Sequence, residues 1–465
     1  MNRVAIVGGG ISGLSAAYFL SRAGCPCTLI EKSPCLGGVI RTERVDGCLL
    51  EAGPDSFISQ KPWAMELIRE LGIADQVIGS NDPARQTYIC RGGRLVALPD
   101  GIQMMAPTKF APVLKSRLFS WKAKAAMALE WFHKPSTEHS DRSVADFITD
   151  HYGREVTDYL AQPMLAGVYG GSAERLSAQS VLPRFVEMER THGSLTRGLL
   201  RGRGKAAPKP PGTEPASLFL SLRNGMQQLV DVLAERIAGQ VQRITGEAEG
   251  IEGDTGDFRV RIAGQTVAAD QIILAVPAYE AARLLQPFNN RLHELLDSIP
   301  YSSSITAALL YDRAGWRHPL NGFGFLIPRA ENRHMTACTW VNTKFPSRVA
   351  GTRVLLRGFL AGQEGEARSS RSDRELAELV HQECSELMGY AQQPIGWRIH
   401  RWHRAMAQYE VGHQRRIEEI EARMARVPGI HLAGNAYTGI GIPDCIRRSR
   451  RVAAKVAKVA ENISI

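Results

Sequence analysis

The chain has 465 residues, 44% of them hydrophobic and 22% charged, with a formal net charge of +10. That length exceeds one simple core, so two or three packed units are expected from an ordinary globular composition. No apolar run approaches the ~18 residues of a membrane span, the run at 4–7 is too short for a secretory h-region, and no nucleic-acid module accompanies the positive charge. The expectation is a cytoplasmic protein with no nucleic-acid partner. Eight cysteines (25, 27, 35, 48, 90, 338, 384, 445) are scattered without C-x-x-C spacing; in an intracellular chain they are expected as small buried hydrophobes.

Residues 4–7 (VAIV) form a short apolar run, expected as a buried parallel strand. Gly8, Gly10 and Gly13 then make G-x-G-x-x-G, and residues 13–23 follow with helical spacing. Residues 28–30 are a second apolar strand, ending in Glu31. Each glycine has a separate task. Gly8 allows the tight turn, Gly10 lets a pyrophosphate approach the backbone, and Gly13 lets the helix pack on the strand. The helix N-terminus at Ile11 and Ser12 faces the phosphates with its positive end. Glu31, with Lys32 beside it, lies near the ~20-residue interval at which an acid receives ribose hydroxyls. Strand, turn, helix, strand and acid together point to dinucleotide binding. Gly37-Gly38 and Arg41 follow, and an arginine beside a glycine loop can cap the pyrophosphate with bidentate contacts. Gly53, Pro54, Asp55 and Ser56 close the block.

Residues 55–75 suggest a loop and a helix ending near Gly72. Residues 87–90 and 94–98, about Gly92-Gly93, suggest a β-hairpin. Residues 107–115, 118–132, 144–152 and 155–167 suggest successive helices, with Ser143 capping the third. Aromatic and basic residues alternate there (Phe119, Trp121, Lys122, Lys124, Trp131, Phe132, Lys134). Either a lobe with its own core or a patch resting on a membrane surface fits them. Residues 201–217 are rich in Pro, Gly and Lys and are expected as a flexible loop. An amphipathic helix over 229–237 precedes strands at 241–244, 258–262 and 271–276 and a helix at 279–285. Between 300 and 400, strand-like runs at 305–311, 324–327, 336–340 and 354–360 and a helix at 373–387 suggest an antiparallel sheet covered by helices. Residues 430–435 form a strand running into a glycine turn. Gly434, Asn435, Gly441 and Ile442 then lead into the final helix, so backbone amides and a helix N-terminus again face a ligand. The two glycine-rich ends are best understood as one split site. No internal repeat is evident.

The fold class expected is α/β plus α. A Rossmann-type dinucleotide-binding domain, split in sequence, takes 1–85, 215–282 and 400–465. A mixed-sheet substrate domain takes 86–98 and 283–399, and a helical insertion, open to a membrane-facing role, takes 99–200. His192, His400, His403 and His413 are expected in structural roles. No catalytic triad, carboxylate pair or metal cluster stands out, so the catalytic and metal sets are empty.

The second glycine pair resembles that of FAD enzymes of the amine-oxidase and GDP-dissociation-inhibitor type. Two further blocks narrow the resemblance. One is Leu165-Ala166-Gly167-Val168-Tyr169-Gly170-Gly171, with Leu176-Ser177, Pro183-Arg184-Phe185, Glu189 and His192-Gly193-Ser194-Leu195. The other is Gly434-Asn435-Ala436-Tyr437 with 439–446. With residues 51–57 they closely resemble the oxygen-dependent protoporphyrinogen oxidase family, including its bacterial coproporphyrinogen-oxidising branch, nearly end to end.

The resemblance implies non-covalent FAD and a six-electron oxidation of a porphyrinogen in haem biosynthesis. Hydride goes to flavin N5, and O2 is reduced to H2O2. It places the backbone near Val241 at the adenine. It places Leu326 and Phe359 on either side of the macrocycle, and Gly167, Gly170 and Gly171 at the pocket rim. A propionate-binding basic residue of some members is replaced here by Thr87, with Arg85, Arg91 or Lys61 as substitutes. Thr339 stands where an apolar residue is common, and 447–450 lack the Ser-Gly pair often seen in the final helix. Further implied partners are a membrane surface at the inner face of the cell membrane, the next haem-pathway enzyme and a second copy of the chain. Competing readings are an amine oxidase or carotenoid desaturase, and a non-enzymatic binder. Residues 405–409 hold no cysteine for a covalent flavin, and the intact glycines argue against a mere binder.

Overall fold

The computed structural model describes residues 3–103, 105–136, 140–204 and 217–460. Two sheets organise it. The first is parallel, in the order Val241–Thr245, Cys27–Glu31, Val4–Val7, Gln271–Leu274, Ile430–Leu432. Its central strands are buried on both faces, as the unbroken apolar runs require. The first helix, Ile11–Arg22, packs against the last, Ile442–Ala460. Residues 4–31, 241–274 and 430–460 therefore form one unit from three separated stretches.

The second sheet has seven strands, in the order Gly396–Ala407, Tyr301–Asp312, Arg353–Ala361, Ala337–Trp340, Gly324–Leu326, Thr87–Arg91, Arg94–Ala97. The hairpin about Gly92-Gly93 forms as expected. The sheet is not wholly antiparallel, because Gly324–Leu326 runs parallel to Thr87–Arg91. Helix Asp373–Met388, with a Ser372/Glu375 capping box, covers one face. Residues 396–407 pair along Tyr301–Asp312, so the expected boundary at 400 falls inside a strand of this sheet.

The helical region has its own core, including Phe119, Phe147, Ile148 and Tyr152. Ser143 caps Val144–Tyr152, its hydroxyl accepting from the Asp146 amide at 3.0 Å. Phe119 is thus internal, while Trp121 and Phe132 are more than 70% exposed. Helix Leu195–Gly204 carries the chain into the expected loop, so residues 201–204 are helical; 205–216 lie outside the described residues. Seven of the eight cysteines are buried and Cys35 is exposed. Among the described residues no helix is long and apolar enough to cross a membrane.

Candidate functional site

The glycine turn behaves as its spacing demands. Gly8 has φ +105°, a conformation glycine alone adopts freely. A Cβ on Gly13 would lie 1.8 Å from the Gly8 carbonyl oxygen. A Cβ on Gly10 would meet no atom within 4 Å, and no side chain caps the helix that Gly10 opens. An open cradle beneath an uncapped N-terminus is what a pyrophosphate needs. Glu31 lies behind the turn, accepting from the Gly9 amide at 2.5 Å and the Ser33 amide at 2.8 Å.

The second glycine loop rests on the first. The Gly37 amide donates to the Gly9 carbonyl at 2.9 Å, and a Cβ on Gly38 would lie 3.3 Å from the Gly10 Cα. Gly53 supports that loop from below, its Cβ position falling 1.8 Å from the Val39 carbonyl oxygen. Lys32 and Arg41 are exposed, and Arg41 pairs with Glu43 at 3.0 Å.

The distant glycine turn arrives at the same sheet edge. Gly434 lies beyond the strand end at Leu432, beside the Val276 carbonyl, and Val276 also flanks Gly8. Ile442 opens the last helix, and the Cys445 thiol in its first turn is hydrogen-bonded with Ser12 in the first turn of the first helix. Two helix N-termini therefore converge, one from each end of the chain. Burial pushes the Cys445 thiol up to about 11, so it stays protonated at neutral pH. Asn435 is fixed on both sides: its carbonyl accepts from the Tyr409 hydroxyl at 2.6 Å, and its amide side chain donates to the Ala405 carbonyl. These residues fit a dinucleotide laid across the carboxyl ends of the strands.

Val241 does not join them. Its strand runs parallel to Cys27–Glu31 with Val241 opposite Cys27 and Thr245 opposite Glu31. Val241 thus sits at the amino end of the sheet, and the backbone that reaches Glu31 is that of Thr245 and Gly246, whose amide donates to the Glu31 carbonyl at 2.9 Å.

Asp55 turns toward the second sheet. Its carboxylate accepts from Lys344 at 2.8 and 2.9 Å and from the Ser56 hydroxyl, with Arg357 3.7 Å away. Burial alone would raise this carboxyl; Lys344 and Arg357 overcome it and hold it well below the usual range. Glu51 pairs with Arg348 at 3.0 Å, yet burial wins there and its carboxyl is raised. Arg357 also donates to the Gly53 carbonyl, and Trp402 Nε1 donates to the Ala52 carbonyl at 2.8 Å. Residues 51–56 are thereby clamped between the two sheets.

On the second sheet, Leu326, Ala337 and Phe359 stand in register across three adjacent strands. Exposed Gly167 faces this row, its Cβ position 3.8 Å from Leu326 Cδ2. Gly170 and Gly171 pack instead: a Cβ would lie 2.3 Å from Met406 Cε at the former and 2.1 Å from Gln408 Oε1 at the latter. They seat the helical region on the sheet. Thr87 lies opposite Gly324, beside the row. Arg85 is half-exposed, with Asp82 3.5 Å away. Arg91 is taken by Glu155 at 2.8 Å and Lys61 by Asp444. His400 bonds Glu43, and His413 stacks on Tyr409.

Sequence reasoning missed Lys344, Arg348, Arg357, Trp402 and Tyr409. One signal was present: Arg357 interrupts the apolar run of residues 354–361, and a buried arginine must be paired.

The model of the family described as flavin containing amine oxidoreductase matches residues 11–457. A coproporphyrinogen III oxidase of Bacillus subtilis (strain 168) is 31% identical, with 96% of each chain covered. A protoporphyrinogen oxidase of Bos taurus is 30% identical, with 99% of each covered. A crystal structure from Exiguobacterium sp. 255-15, assigned to the protoporphyrinogen oxidases, is 29% identical over 98% of both chains, with a TM-score of 0.87. A putrescine-bound putrescine oxidase, 20% identical at a TM-score of 0.70, shares the fold. The chain belongs to the flavin-containing amine oxidoreductases and is related over its whole length to the porphyrinogen oxidases.

Proposed function

We propose that the chain is an oxidase carrying non-covalent FAD. It takes coproporphyrinogen III or protoporphyrinogen IX to the porphyrin by loss of six electrons, with O2 as acceptor and H2O2 as product, in haem biosynthesis. The observation that carries the reading is the apolar row Leu326–Ala337–Phe359, faced by Gly167 and tied through Arg357 to the Gly53 loop. A large apolar macrocycle needs such a wall close to the redox centre. Full-length relatedness to enzymes named for both porphyrinogens supports the same reading.

When bound, the flavin supplies hydride acceptance and reoxidation by oxygen; the chain binds, orients and excludes water. Gly8, Gly10, Ile11, Ser12 and Gly13 would hold the pyrophosphate and Glu31 the ribose. Residues 434–442 would hold the redox end. No cysteine in 405–409 is available for a flavin link, and Cys445 is held as a buried thiol. Leu326 and Phe359 would line the macrocycle. Of the three basic candidates for a propionate, Arg85 has the longest ion pair, 3.5 Å to Asp82, against 2.8 Å for Arg91 with Glu155 and 2.5 Å for Lys61 with Asp444. Exposed Trp121, Leu129 and Phe132, with Lys122 nearby, are the face for peripheral membrane contact.

The test supplies each porphyrinogen, with and without oxygen, and follows porphyrin fluorescence. Oxygen-dependent turnover of one or both is expected, and their ratio identifies the substrate. Turnover of neither by a yellow, flavin-loaded preparation refutes the proposal.

A further inference from the structure

Arg357 is 5% exposed and lies between Leu356 and Gly358, in a strand whose other residues beyond the leading Arg353 are apolar or glycine. A guanidinium so buried needs partners. It has three, from two halves of the site. One nitrogen donates to the Gly53 carbonyl, another lies 3.7 Å from Asp55 Oδ2, and Cζ stands 4.7 Å from the centroid of the Phe359 ring. Its Nε is buried with no partner. Charge pairing alone does not explain the placement. Lys344 already donates to both Asp55 oxygens at 2.8 and 2.9 Å, and 3.7 Å is too long for a hydrogen bond. The carbonyl and the ring locate the group.

These contacts continue on the cofactor side. Gly53 has no room for a Cβ against Val39, and the preceding Gly38 rests on Gly10. A rigid path therefore runs from the Phe359 ring through Arg357, Gly53 and Val39 to the turn at Gly10. We propose that Arg357 is a positioning residue that sets the Phe359 ring, on the substrate side, against the Gly53 loop, on the cofactor side. The macrocycle in this statement rests on the function proposed above. The planar fork is essential: it donates in its plane while its face covers the ring, which a lysine ammonium on a flexible stem cannot do.

Arg357→Met, Arg357→Lys, Phe359→Leu and the double variant Arg357→Met/Phe359→Leu test it in the FAD-loaded protein. The readouts are the dissociation constant of the porphyrin product by fluorescence quenching, the visible circular dichroism of the flavin, and Tm. Arg357→Met is expected to weaken porphyrin binding about tenfold and to change the flavin dichroism. Arg357→Lys should lose nearly as much despite keeping its charge, and the double variant should bind no worse than the weaker single one. Porphyrin affinity within twofold of wild type in both Arg357 variants, with Tm alone lowered, overturns the proposal, and so do losses that multiply in the double variant. If Arg357→Met does not fold, Arg357→Lys compared with Phe359→Leu separates the same outcomes. A wild-type protein that binds neither porphyrin refutes the functional reading instead; the flavin dichroism of the Arg357 variants then decides the link to Gly53, and an unchanged spectrum overturns it.

Discussion

Gly10→Ala separates folding from cofactor binding. At φ −71° and ψ −176°, the Gly10 backbone is one that alanine adopts without strain. The new Cβ would meet no protein atom within 4 Å. The folded chain therefore has no reason to lose stability, and the stiffer unfolded chain should add about 0.4–1 kcal/mol. The same methyl group occupies the space through which a pyrophosphate reaches the uncapped helix. Losing one or two charge-assisted hydrogen bonds there, at about 1.5–3 kcal/mol each, weakens FAD by roughly 10- to 100-fold or more. The assay is thermal or urea unfolding of apoprotein and FAD-loaded protein, beside an FAD titration. FAD at 100 times the wild-type Kd should stabilise wild type by about 2.7 kcal/mol, and a variant 100-fold weaker by only about 0.4 kcal/mol. An unchanged FAD affinity would refute the placement of the pyrophosphate at this turn. A collapse of apoprotein stability would refute the claim that the position is open.

Gly13→Ala should do the opposite: its Cβ meets the Gly8 carbonyl at 1.8 Å, so the apoprotein itself should lose at least about 1–3 kcal/mol in urea unfolding. Asp55→Asn leaves Lys344 and Arg357, both largely buried, without their carboxylate; about 3–5 kcal/mol of stability should go, read by the same method at pH 7. The Asp55 carboxyl is depressed in the folded state, so its contribution is complete above about pH 4 and is lost as pH falls toward the folded value; D55N should flatten that acid limb. His431 bonds Gln271 between two parallel strands, and burial brings it down to about 4. The unfolded chain therefore binds the extra proton between about pH 6.5 and 4, and stability should fall across that interval by up to about 3 kcal/mol. His431→Gln should remove that share of the slope in pH-dependent melts, and an identical slope would show that the histidine is not buried neutral.

The fingerprint at Gly8, Gly10 and Gly13 was legible because its constraints are local: turn, cradle and helix contact all fall within six residues. The hairpin at Gly92-Gly93 and the cap at Ser143 were legible for the same reason. Val241 was misplaced because nothing within 241–245 records which end of the strand adjoins Glu31; parallel pairing to Cys27–Glu31 decides it. Asp55 sits in a motif that suggests a cofactor contact, but its partner Lys344 is 289 residues away. Gly170 and Gly171 show the same limit. Their sequence signals close approach without naming the approaching group, which is the edge of the second sheet at Met406 and Gln408.

The sequence by itself determined the shape of the N-terminal turn, since backbone conformation and Cβ clearance are properties of a few adjacent residues. It also determined, through motif resemblance, the kind of flavin enzyme to look for. The tertiary structure alone decided how the two glycine-rich ends meet, which end of the strand at 241–245 adjoins Glu31, and which buried cations clamp residues 51–56 to the second sheet. Those are contacts between residues hundreds of positions apart. They depend on register, burial and the balance of desolvation against pairing, none of which a local pattern encodes.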